Sequence, residues 1–200
     1  MKIKKTKNTG NKKYPKRVTM SSGLVLRIPQ QKEFGSFSRA HGCSLAAIDI
    51  ALQVVGIKKN PDEIYSWCKE HLEGYTGSKV TIMGCKRAVN RMSGKNQAKY
   101  MTITGTKKNR KKAIRKIKDC LKQDGIVLVE SDNPIHTDVL IAKQKGGVWD
   151  ATNGTLKKTT IPKMVKGAIK RKTSKEKQTN WYSSRDGDCG IVLVYPGKEG

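Results

Sequence analysis

Three residues of this 200-residue chain could do nucleophilic chemistry together: Cys43, His136 and Asp150. A thiolate attacks carbonyl carbon, an imidazole moves the proton, and a carboxylate holds the imidazole's tautomer and supports the imidazolium. Cys43 directly precedes the apolar stretch Ser44–Gly56 (SLAAIDIALQVVG), so the spacing predicts a thiol at a helix N-terminus. The positive end of the helix dipole and the unpaired backbone N–H groups there favour a thiolate. The same N–H groups can stabilise an oxyanion. Read alone, such a cysteine is more often a buried structural thiol. His136 is the better base of the three histidines, because His71 falls on the polar side of a helix pattern and His41 is only two residues from Cys43. Asp150 follows His136 at the end of the next apolar segment, with Asn153 as a neutral alternative for the orienting role.

The elements that must bring these residues together are legible from periodicity. Ser44–Gly56 is apolar on nearly every side, with Asp49 and Gln53 on one narrow polar stripe, which predicts a helix in the middle of a core. Asn60-Pro61-Asp62-Glu63 is a helix start with a capping residue, a proline and first-turn acids. Further helices are expected over 81–92, 109–121 and 160–169, with a basic loop over 170–178. Short strands are expected around 24–28 and 99–104. From residue 125 the period changes, and 125–131, 136–143 and 146–152 read as consecutive antiparallel strands. In such a hairpin the start of one strand lies by the end of the next, which sets Asp150 beside His136. A final hairpin is expected between 181–183 and 190–195. Helices first and antiparallel strands later predict an α+β fold in a single domain over 18–200, after a basic, disordered tail over 1–17.

Composition limits what else the chain can be. Lys+Arg number 42 against 16 Asp+Glu, a formal charge of +26. Eight of the cations lie in 1–17, nine in 107–122 and nine in 157–177, with no, one and one acid respectively. The last two blocks overlap amphipathic helix patterns. This charge supports contact with a polyanion, but no zinc-finger spacing, aromatic RNA-binding signature or leucine zipper accompanies it. Cysteines 43, 68, 85, 120 and 189 are odd in number and form no CxxC pair, so a complete disulfide framework within one chain is impossible and zinc spacing is lacking. A reducing compartment is expected, with Cys120 a small buried apolar residue. No metal or other cofactor is expected. No apolar run reaches the ~20 residues of a membrane span. The basic start has no apolar stretch behind it, which predicts a cytoplasmic protein unless a leader precedes it.

The order of these features resembles the papain-like cysteine peptidases, and within them the bacterial double-glycine-peptidase-like group. The residues that carry the resemblance are Gly42-Cys43-Ser44-Leu45-Ala46-Ala47, Pro61-Asp62-Glu63, His136 followed by Val139-Leu140-Ile141, and Trp149-Asp150. It covers about residues 29–195. It implies a papain-like fold, Cys43 as nucleophile, His136 as base and then acid, Asp150 as orienter, and hydrolysis of a peptide-like bond through a thioester. The family also places an oxyanion-hole glutamine a few residues before the cysteine. The counterpart here is Gln31, twelve residues upstream, and Ser44-Leu45 stands where the family usually has Gly-Pro. The expected partner is a peptide or protein substrate. The frame equally suits acyl transfer to a nucleophile other than water. The competing expectation is a non-catalytic basic module that binds nucleic acid or another polyanion.

Overall fold

The runs Ile126–Val129, Val139–Ala142 and Ile191–Val194 contain no polar alternate position, and strands of that kind need apolar cover on both faces. A computed structural model of the chain provides it. The structure describes residues 16–34, 42–73, 75, 80–103, 105–132, 135–142, 147–152, 154–175 and 190–197. Two strands, β1 (Lys16–Thr19) and β2 (Val25–Ile28), form an antiparallel ribbon, followed by a 3-10 turn at Gln31–Glu33. Helices α1 (Cys43–Val54), α2 (Pro61–His71) and α3 (Ile82–Ser93) come next, then strand β3 (Ala98–Thr102) and helix α4 (Lys107–Lys122). Strands β4 (Ile126–Asp132), β5 (Ile135–Ala142), β6 (Val148–Thr152) and β7 (Thr155–Thr159), helix α5 (Ile161–Lys175) and strand β8 (Gly190–Val194) complete the order. The fold is α+β, with an antiparallel sheet of order β3-β8-β4-β5-β6-β7.

Side chains alternate across this sheet, and each parity has its own core. Ile126, Leu128, Val139, Ile141, Val192 and Val194 pack with α1, α2 and α3. Val127, Val129, Leu140, Ile191 and Leu193 pack with α4 and α5. Helix α1 is the centre of the first core: every residue from Cys43 to Leu52 is buried. Asn60 and Glu63 form a reciprocal capping box that starts α2, as the sequence predicts. Thr81 and Thr106 accept backbone N–H groups at the starts of α3 and α4.

Several expectations differ from the structure in instructive ways. Lys16 and Arg17 belong to β1, paired with Ile28 and Arg27, so the expected tail to residue 17 overlaps a strand. β7 has no clear alternation (Thr-Leu-Lys-Lys-Thr) and is legible only as the edge partner of β6. α5 continues to Lys175 through most of the expected basic loop. β8 pairs with β3 and β4 rather than only a neighbour in sequence. Gly190 is required there, since a Cβ would lie 2.0 Å from the Tyr100 ring. The expected strand at 181–183 lies outside the described residues. No helix among the described residues is long and apolar enough to cross a membrane.

Candidate active site

Cys43 is the first residue of α1, with Gly42 in the capping position and no acid in the first turn. The thiol is 5 % exposed, at the end of a helix otherwise locked in the core. Ser44 fixes the helix start: its buried hydroxyl accepts the Val80 N–H at 2.9 Å. Here the Ser-Leu that follows the cysteine has a structural use, as a tether between α1 and the segment entering α3.

β5 brings His136 to the thiol. The imidazole and Cys43 share a side-chain hydrogen bond. Burial opposes the imidazolium, but the Cys43 contact and charge, followed by the charges of Asp138 and Asp150, outweigh it and raise the His136 pKa above 6.5. His136 Nε2 is buried without a hydrogen bond among the described residues, and Asp138 Oδ1 lies 3.6 Å from it. That separation is long for a direct bond and close enough for a strong charge interaction.

Asp150 stands one step further back than the hairpin argument expects. β6 pairs with β5 so that Asp150 faces Leu140, not the start of the strand. Its charge still acts on His136, but the chain of close contacts between them runs through other groups. Thr152 Oγ1 lies 2.5 Å from Asp150 Oδ1 and 3.3 Å from Asp138 Oδ1, and Asp138 faces the imidazole. Burial and then the neighbouring Asp138 charge push the Asp150 carboxyl up to about 6, while Thr152, His136 and Lys157 pull the other way. Asp138, missed in the sequence, has a simple signal: it lies two residues after His136 on a strand and so shares its face.

Gln31 is buried in the 3-10 turn that packs against α1. The turn is fastened from several directions. Glu33 accepts the Gln30 N–H at 2.6 Å and pairs with Arg27. Arg27 Nη2 also lies 2.5 Å from buried Asp49 on α1, and Gln53 donates to Asp49 at 2.9 Å. Burial raises the Asp49 pKa even though Arg27 opposes the rise. The Gly154 N–H, in the turn after Thr152, donates to Pro29 O at 2.9 Å. The Asp49/Gln53 stripe of the sequence thus serves to hold the glutamine-bearing turn on the cysteine's helix. Asn153 and His41 lie outside the described residues. His71 is exposed and stacks on Trp67 with ring centroids 4.7 Å apart.

Cys68 and Cys120 are pushed by burial to about 12. Among the described residues no group of three or more His, Cys, Asp or Glu side chains could hold a metal ion. The arrangement of a helix-start thiol, a hydrogen-bonded imidazole and a carboxylate behind it suits acyl transfer. Comparisons with family models, curated proteins and solved structures found no match to this chain.

Proposed function

We propose that the protein is a papain-like cysteine peptidase or amidase that acts on a peptide-like bond. The observation that carries this reading is the hydrogen bond between His136 and a thiol at the start of a buried helix. In the proposed cycle the thiol proton passes to His136, and the Cys43 thiolate attacks the substrate carbonyl carbon. The backbone N–H at the start of α1 and the Gln31 side-chain amide donate to the oxyanion. His136 then gives its proton to the leaving amine, which departs as the thioester forms. Water, deprotonated by the same imidazole, hydrolyses the thioester, releases the acid and restores the thiol. Asp138 holds the imidazolium, and Asp150 acts behind it through Thr152.

The test is a peptide p-nitrophenyl ester mixed rapidly with the full chain. The expected result is a burst of about one nitrophenolate per chain, an acyl group on Cys43 by intact-mass and peptide mapping, and no burst from Cys43→Ala. Absence of an acyl adduct, or acylation spread equally over Cys43, Cys68 and Cys120, sinks the proposal.

A further inference from the structure

On the other side of the sheet from α1, the first turns of α4 and α5 enclose a groove of about 320 Å³. Its walls are Lys107, Arg110 and Lys111 from α4 and Lys166 from α5, over a floor that includes Ile114 and Val165. All four cations are exposed, and among the described residues none of them has an acidic partner. Neither helix has an acid in its first turn. Packing does not require this charge, since Ala113, Ile117, Val165 and Ala168 already seat the helices on the sheet. Four like charges around one small groove repel one another, and an anion seated among them relieves that repulsion.

We propose that this groove docks the phosphodiester backbone of double-stranded nucleic acid, independently of its sequence. The lining chemistry selects this occupant. The groove has no aromatic side chain on which a single-stranded base could stack and no Asn or Gln to read a base edge. It also offers no protruding apolar group to enter a lipid surface; the exposed large hydrophobic residue among those described is Val25, on β2. What remains is cation–phosphate contact at fixed positions on a stiff helix. With 16 residues, α4 is about 24 Å long at 1.5 Å per residue. That length runs beside roughly seven base pairs at 3.4 Å rise per strand. The groove lining contains none of Cys43, His136 and Asp150, so the docking neither needs nor excludes the proposed acyl chemistry.

The test is fluorescence anisotropy of the full chain with a 20-base-pair duplex of arbitrary sequence at several KCl concentrations. Four phosphate contacts contribute a slope of about −3.6 to log K against log salt. The pair Arg110→Glu/Lys111→Glu is expected to weaken binding at least tenfold and to flatten the slope by about two. The pair Lys12→Glu/Lys13→Glu makes the same charge change in the N-terminal stretch and is expected to cost at most one third of that factor. Should the groove pair fail to fold, as judged by circular dichroism, Lys166→Ala reads the same site with a slope change of about one. Equal losses from the two pairs, an unchanged slope in Lys166→Ala, or equally tight binding of single strands or of polyglutamate overturns the proposal.

Discussion

At the start of α1 and in the last turn of α4, the chain buries the same side chain against opposite ends of a helix. Cys43 is the first residue of its helix and hydrogen-bonds with His136. Cys120 is 0 % exposed, and its Sγ lies 3.5 Å from both the Ile126 and the Val194 carbonyl oxygens. At the N-terminus the helix dipole and free N–H groups favour negative charge; at the C-terminus the dipole opposes it. The partners repeat that contrast. Cys43 has an imidazole whose pKa is raised, whereas burial holds the Cys120 thiol at about 12. If Cys43 is the nucleophile proposed above, burial alone does not decide whether a cysteine reacts. The end of the helix it occupies and the charge of its partner decide.

The largest expected effect is in the ratio of alkylation rates. At pH 7 a thiol with a pKa of about 12 is ionised to roughly one part in 10⁵. Cys43 is expected to react with iodoacetamide at least ~10³ times faster than Cys120, allowing for the lower intrinsic nucleophilicity of a more acidic thiol. Quantitative mass spectrometry of each alkylated peptide over time measures the ratio, and a value within tenfold of unity breaks the comparison. His136→Ala comes second. It is expected to slow alkylation of Cys43 by about 100-fold near neutral pH while leaving Cys120 unchanged. A uniform change at both cysteines would mean that the substitution loosens the fold rather than removing the partner.

The part of this contrast visible in sequence is the part written in local patterns. An apolar stretch beginning right after Cys43 announces a buried helix and puts the thiol at its N-terminus. The 109–121 pattern likewise places Cys120 on an apolar face. His136 is legible because a histidine opening an apolar strand is rare in a chain with three of them. The α+β class follows from the change of period near residue 125. What local pattern does not contain is register. Asp150 falls opposite Leu140 because of how β6 meets β5, and that depends on the turn between them and on the packing of both faces. The same limit hides the pairing of the strand expected over 190–195, because the partners of β8, β3 and β4, are distant in sequence. Ser44 gives no hint of its tether to Val80, because a hydroxyl contact across 36 residues leaves no periodic trace.

Asp150→Asn sharpens the comparison with the smallest of these effects, because it reaches Cys43 only by way of His136, whose imidazolium its charge supports. In the folded chain the Asp150 pKa is raised from 3.8 to about 6. The folded state therefore binds this proton more tightly than the unfolded chain, so stability falls as pH rises from about 4 to about 6. Reduced for partial solvent screening, the loss is on the order of 2 kcal/mol at neutral pH. His136 has the other sign of charge: its raised pKa contributes stability that is complete below pH ~6.5 and lost as pH rises through its folded value. Removing the Asp150 carboxylate deletes the first of these losses and weakens the second contribution. Asp150→Asn is thus expected to melt a few degrees higher than the unsubstituted chain at pH 6.5, with that advantage gone at pH 4. Its alkylation of Cys43 at pH 6.5 is expected to fall several-fold, since one of the charges sustaining the imidazolium is gone, while Cys120 reacts as before. Thermal melts at the two pH values and the same peptide-resolved alkylation measure both. If the variant melts lower at pH 6.5, or if Cys43 and Cys120 slow together, Asp150 supports the sheet and has no electrical connection to the thiol.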